Sequence, residues 1–194
     1  MRGFALKAIG AALCSLLAVS AAQAQSPSGP WFGIGGGLGW ATADWLGPPA
    51  TMTGGSGYIR GGWALSDHVR IGGEVDLWRR PVDNGQPESA YRLYNLAGVL
   101  SLHARSGLFA RGGVGMGVVA GDVDLYKGAK LDASKGPGAL VGVGFESALS
   151  AHAAITFGVS AWTARIDDLR SGETVLRTEW SQRVVDVSVG LTFK

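Results

Sequence analysis

From Trp31 to the C-terminus, apolar residues recur at every second position, and this period of two constrains the fold more than any other feature of the chain. In "QRVVDVSVGLTFK", Val185, Val187, Val189, Leu191 and Phe193 share one face, and Asp186, Ser188, Gly190 and Thr192 share the other. In "VRIGGEVDLW", Val69, Ile71, Val75 and Leu77 oppose Arg70, Glu74 and Asp76. In "YNLAGVLSLHA", Tyr94, Leu96, Leu100 and Leu102 oppose Asn95, Ser101 and His103. Successive side chains of a strand point to opposite faces, so each segment reads as a strand with one apolar face. Eight such strands are expected, at 31–41, 57–65, 69–80, 91–104, 108–122, 138–149, 153–165 and 181–193. Each reaches the ~9–11 residues that a tilted membrane strand requires, and an even count suits a bacterial membrane barrel.

The connections alternate in length. Strands two and three join through Ser66-Asp67-His68, four and five through Arg105-Ser106-Gly107, and six and seven through Ser150-Ala151-His152. The other four are expected to be long polar loops: "TADWLGPPATMTGGSG", "PVDNGQPESA", "KGAKLDASKGP" and "DDLRSGETVLRTEW". Short turns at one end and long loops at the other are the asymmetry of a membrane barrel. Three-residue turns set Leu65 opposite Val69, Ala104 opposite Leu108 and Leu149 opposite Ala153. Each pair joins apolar face to apolar face, so turn length and pattern agree on one register. Counting on along strands two and three places Arg60 opposite Glu74, where a cross-strand ion pair that helps close the barrel to ions is expected.

The apolar face belongs outside. The opposite face is mostly Gly, Ala and Ser with scattered charges, and only 16% of the chain is charged, against about 25% in soluble domains. Aromatics cluster at strand ends. Trp31, Phe32, Trp63, Phe109 and Phe193 are expected at the turn end, and Trp40, Trp78, Tyr91, Tyr94 and Trp162 at the loop end, as two interfacial girdles. The first residues are of another kind. Arg2 and Lys7 precede the apolar "AIGAALCSLLAV", and Ala22-Gln23-Ala24 offers a cleavage site. Residues 1–24 therefore read as a Sec-type signal peptide and 25–194 as one barrel domain. The only cysteine, Cys14, leaves with the signal, as do Arg2 and Lys7. The mature chain is then near neutral, with no disulfide and no basic surplus for nucleic acid.

The run "WFGIGGGLGWA" invites a phosphate-binding reading. It lacks the spacing of a dinucleotide fingerprint, since Leu38 follows Gly33 and Gly35 where a third glycine is needed. Glycines at alternate positions instead thin the inner wall of a barrel whose lumen only side chains fill. "ALSDHVRIGGEVDLW", "GVGFESALSAHAAITFGVSAW" and the closing "VGLTFK" resemble the strand–turn–strand units of the small eight-stranded outer-membrane β-barrels: the opacity-type porin-like proteins, OmpX and the OmpA membrane domain. The likeness spans the mature chain. It implies an all-β, eight-stranded antiparallel transmembrane barrel in the outer membrane, in contact with lipid and lipopolysaccharide and inserted by the barrel assembly machinery. One departure is local: the family usually ends on Phe, and here Lys194 follows Phe193.

Candidate sites are few. His68 and His152 end two of the turns and His103 precedes the third, so all three histidines lie at the turn end. Some relatives in this class modify lipid A, with His paired to Ser or an acid near the outer leaflet, but that substrate would lie across the ~25 Å apolar band from these histidines. A nucleophile needs its base within hydrogen-bond reach, so no catalytic residue, metal ligand or cofactor is assigned. The lumen-facing charges Arg60, Arg70, Glu74, Asp76, Arg111, Glu146 and Asp186 form the remaining candidate, as a structural ion-pair network or a gate. Trp45, Pro48, Pro49 and Trp180 give the loops exposed apolar character, suited either to loop packing and the upper girdle or to contact with a host molecule, lipopolysaccharide or another surface ligand. The expected function is a non-enzymatic surface protein of the outer membrane. A small-solute channel is the alternative, and a lipid A-modifying enzyme a more distant one.

Overall fold

The computed structural model describes residues 28–43, 50–81, 90–121, 131–171 and 174–194. The segment read as a signal peptide lies outside them, as do Trp45, Pro48 and Pro49. Eight strands follow in order: β1 Gly29–Ala43, β2 Ala50–Ala64, β3 Val69–Pro81, β4 Ala90–His103, β5 Leu108–Gly121, β6 Leu131–Ala148, β7 Ala153–Ser171 and β8 Thr174–Phe193. Each pairs antiparallel with its neighbours, and β8 closes on β1, with Phe193 opposite Phe32. No described helix is long and apolar enough to cross a membrane; the strands do so, and closure leaves no edge whose backbone groups would go unpaired in lipid.

The turns hold the counted register. The Leu65 amide donates to the Val69 carbonyl, Ala104 to Leu108 and Leu149 to Ala153, at 2.9, 2.8 and 2.8 Å. The two Ser-x-His turns are built alike, with the amides of His68 and His152 each donating to the hydroxyl of the serine two residues back, both at 3.2 Å. The third turn needs Gly107, whose φ of 90° is costly for any residue with a Cβ.

The apolar face points outward. Ile34, Leu38, Ile59, Val75, Leu100, Val114, Val141, Val159 and Val187 are all exposed around the circumference. A belt this continuous suits hydrocarbon, not water. Val187 is 49% exposed and its neighbour Ser188 8%.

Two expectations are corrected. First, Trp31, Trp78, Phe109 and Trp162 are buried and point into the barrel, and Tyr91 packs against the interior cluster. The outer aromatics among the described residues are Phe32, Trp63, Phe145, Phe157 and Phe193 toward the turns and Trp40 and Tyr94 toward the loops. Position near a strand end does not make a girdle residue; parity does, and Trp78 follows the outward Leu77 by one. Second, β2, β6, β7 and β8 run far into segments expected to be loops. Hairpin hydrogen bonds continue beyond the apolar belt, where water tolerates polar residues on both faces. Trp180 is accordingly a strand residue, buried inside.

Candidate functional site: the barrel lumen

Inward positions stack in three layers. At the turn end, Arg70 on β3 reaches across to Glu146 on β6 with two parallel hydrogen bonds, Nη1 to Oε1 at 2.9 Å and Nη2 to Oε2 at 3.1 Å. Lys194 adds its ammonium to Glu146 Oε2 at 3.1 Å, and its backbone amide donates to the His152 carbonyl at 3.0 Å. The residue after the terminal Phe193 thus turns back over the mouth of the barrel and joins its lowest ion-pair cluster. The Arg70 guanidinium carbon also lies 5.9 Å from the Trp31 ring centre.

The middle layer holds Arg60, Arg111, Glu74, Tyr58 and Phe109, all buried. Arg111 Nη2 approaches Glu74 Oε1 at 2.9 Å with both side chains almost fully enclosed. The contact is an ion pair by proximity, since neither Glu74 oxygen receives an aligned hydrogen bond. Arg60 is opposite Glu74 in the strand register, as counted from the turn. The ion pair expected of these two is corrected: the close cation on Glu74 is Arg111, and the Arg60 guanidinium lies over aromatic rings, 4.8 Å from the Tyr58 centre and 5.4 Å from that of Phe109. Arg111 lies 5.9 Å from each of the same two rings. Ring faces attract cations, so Tyr58 and Phe109 accommodate two arginines in one narrow section of barrel. Just above, Asn95 Nδ2 donates to Asp76 Oδ2 at 3.0 Å, and Ser160 Oγ to Asp186 Oδ2 at 2.8 Å. A charge enclosed by protein is costly unless partnered, and the carboxylates here each have a cation or a donor.

The loop-end layer is mostly apolar, with the amide of Gln182 enclosed in it. Trp78, Leu93, Val119, Leu140, Trp162, Ile166, Trp180 and Val184 fill the lumen there, with Met52 and Tyr91 packed against them. Trp78 is fully enclosed and donates its indole N–H to the Gly39 carbonyl at 3.0 Å. The gap left among Met52, Trp78, Tyr91, Leu93, Val119 and Trp180 is about 10 Å³, about the room of one water.

The glycines of β1 make these layers fit. A Cβ on Gly35 would stand 2.5–2.7 Å from the Tyr58 ring, one on Gly33 3.0 Å from Arg60 Nε, and one on Gly39 2.8 Å from the Trp78 indole. Gly33, Gly35 and Gly39 thus each face a large side chain, whereas Gly37 lies against the β8 backbone at Val187 and Ser188.

His68 and His152 are exposed in separate turns; the His103 amide donates to the His68 carbonyl at 2.8 Å, and the His103 ring stacks on Phe109 with ring centres 5.4 Å apart. Among the described residues, no group of three or more His, Cys, Asp or Glu is placed to hold a metal ion. All seven lumen charges do face inward. The loop-end aromatic layer was not anticipated, although the parity of Trp78, Trp162 and Trp180 with Asp76, Ser160 and Asp186 signalled it.

The same architecture occurs in solved structures. The Neisserial surface protein NspA superposes with a TM-score of 0.52 at 16% identity, over 86% of this chain and 99% of that one. The outer membrane protein AlkL does so with a TM-score of 0.51 at 14% identity, over 89% and 93%. At such identities the likeness concerns the fold alone. No curated protein matches the sequence. The family model for the outer membrane protein beta-barrel domain matches residues 9–193. With that match, and with a closed eight-stranded barrel wearing its apolar face outward, the chain belongs to the outer membrane protein β-barrel family and resides in the outer membrane.

Proposed function

We propose that this protein is a closed, non-enzymatic barrel that contributes to envelope structure or surface interaction and conducts no solutes. The observation that carries this reading is the loop-end layer. Large apolar side chains from β2, β3, β4, β5, β6, β7 and β8 meet inside the barrel, and below them two buried layers hold the ion pairs Arg111–Glu74 and Arg70–Glu146. A solute would have to displace an aromatic cluster and then break ion pairs. All three histidines lie at the turn end, across the apolar belt from the leaflet in which lipid A resides, which supports the non-enzymatic reading. What remains available for function is the rim and the loops above it. On this reading the lumen charges Arg60, Arg70, Glu74, Asp76, Arg111, Glu146 and Asp186 are structural, and the assembly machinery receives the chain through its terminal strand.

Planar-bilayer recording of the purified, folded barrel tests the reading. No stable unitary openings are expected from the wild type. Reproducible openings would replace it with the small-solute channel, in which the lumen charges act as a gate. Release of fatty acid from lipid A by the same preparation would replace it with the enzyme.

A further inference from the structure

Following each strand outward past the apolar belt, the first charged outward-facing residue at the loop end is basic on β3, β4, β6, β7 and β8. Arg79 follows Ile71, Val75 and Leu77, and Arg92 precedes Tyr94, Leu96 and Leu100. Lys135 precedes Ala139, Val141 and Val143, Arg165 follows Phe157 and Val159, and Arg183 precedes Val185, Val187 and Val189. Arg79, Lys135, Arg165 and Arg183 are exposed and Arg92 is half-buried. On β1 and β2 the corresponding positions are uncharged: Thr42 and Thr51 share a hydrogen bond at 3.2 Å. Among the described side chains of this face at the loop end, the acid is Asp167, one outward step beyond Arg165 and farther from the belt.

The arrangement is one-sided. At the turn end the outward residues stay uncharged up to the turns themselves, with Leu65, Leu102, Leu108, Leu149 and Phe193 all exposed. Asp67 and Arg105 there belong to the turns, and Lys194 folds into the lumen. The cationic collar therefore surrounds one end of the belt only. Short turns face the periplasm and long loops the exterior, so the collar lies at the level of the outer-leaflet headgroups.

Register sharpens the point. Arg79 and Arg92 are direct cross-strand partners. Arg165 pairs with Ser181 and Arg183 with Thr163, so these two arginines are diagonal neighbours on the same face. Each pair sets two guanidinium groups side by side on the outward face at one level of the barrel. Guanidinium groups bind phosphate oxygens in a planar, two-point fashion.

We infer that this collar docks the phosphate groups of the lipopolysaccharide surrounding the barrel, with Arg79/Arg92 and Arg165/Arg183 as its two clamps. Acyl chains lie on the belt below while the phosphates meet the collar. The inference rests on outer-membrane location and orientation, not on the closed lumen, so the conductance result has no bearing on it.

The test measures binding of the folded barrel in neutral detergent micelles to fluorescent bisphosphorylated lipid A and to the same lipid with its phosphates removed. At low salt the wild type is expected to bind the phosphorylated form at least tenfold more tightly, with the difference shrinking at high salt. The variant Arg79→Gln/Arg92→Gln/Arg165→Gln/Arg183→Gln should lose most of that preference, whereas Lys194→Gln at the other end should keep it. Equal affinity of the wild type for the two lipids overturns the inference without reliance on any variant. A preference that survives in the quadruple variant, shown folded by its heat-modifiable gel mobility, also overturns it. So does competition by inorganic phosphate or a soluble sulfated glycan as effective, per phosphate or sulfate, as lipid A, because the site would then be one for soluble anions.

Discussion

Removing Glu146 should destabilise the barrel more than removing either of its partners. Its carboxylate accepts two hydrogen bonds from Arg70 and lies 3.1 Å from the Lys194 ammonium, and the side chains of Arg70 and Glu146 are 9% and 6% exposed. Hydrogen bonds to charged groups contribute about 1.5–3 kcal/mol each, and stranding one member of a buried pair costs about 3–5 kcal/mol. Glu146→Ala strands Arg70 against a second cation and should fall in that range. Arg70→Met leaves Glu146 with Lys194 and should cost less. Lys194→Ala removes a partner that is 29% exposed, worth at most about 1 kcal/mol as for other solvated pairs. The double variant Arg70→Met/Glu146→Leu replaces the pair by apolar volume, a change that is often neutral. The coupling between positions 70 and 146 should therefore reach about 2 kcal/mol or more. Reversible urea unfolding of the barrel in lipid vesicles, followed by circular dichroism and gel mobility, measures each corner of the cycle. A coupling below about 0.5 kcal/mol, the scatter expected of independent sites, would refute the reasoning. So would a Lys194→Ala cost as large as that of Glu146→Ala.

Further outcomes are expected elsewhere in the barrel. Val187→Arg places a charge in the lipid belt at a cost of about 2–4 kcal/mol, and a membrane-embedded quencher should dim a probe at position 187 more than one at 188. Gly35→Ala drives a methyl into the Tyr58 ring and should cost about 1–3 kcal/mol, as overpacking does; Gly35→Ala/Tyr58→Leu should recover part of the loss in the same unfolding assay. The coupling of Glu74 with Arg111 should exceed its coupling with Arg60, because the 2.9 Å contact is to Arg111; a double-mutant cycle giving the reverse order would return the ion pair to the strand neighbours. Trp78→Ala opens the loop-end layer at a cost of about 3–5 kcal/mol, and bilayer recording should show current where the wild type shows none.

Period-two alternation carried most of the architecture. It specified eight strands, their inner and outer faces and, with three turn lengths, a register that holds through Arg60 opposite Glu74 and Leu65 opposite Val69. These are local quantities: a strand's faces follow from parity, and a hairpin's register follows from its turn. Parity also held the positions of Trp31, Trp78, Phe109 and Trp162, but nearness to strand ends was read as a membrane interface and overrode it. The continuation of β2, β6, β7 and β8 beyond the belt left little trace in hydropathy, because a hairpin standing in water needs no apolar face. What only the tertiary structure decided is which lumen charges meet. Arg111 reaches Glu74 from two strands away, Arg70 reaches Glu146 across the barrel, and Lys194 folds back to join them. Those partnerships depend on closure, on strand stagger and on the length of side chains spanning a narrow interior, none of which is written in the spacing of residues along a single strand.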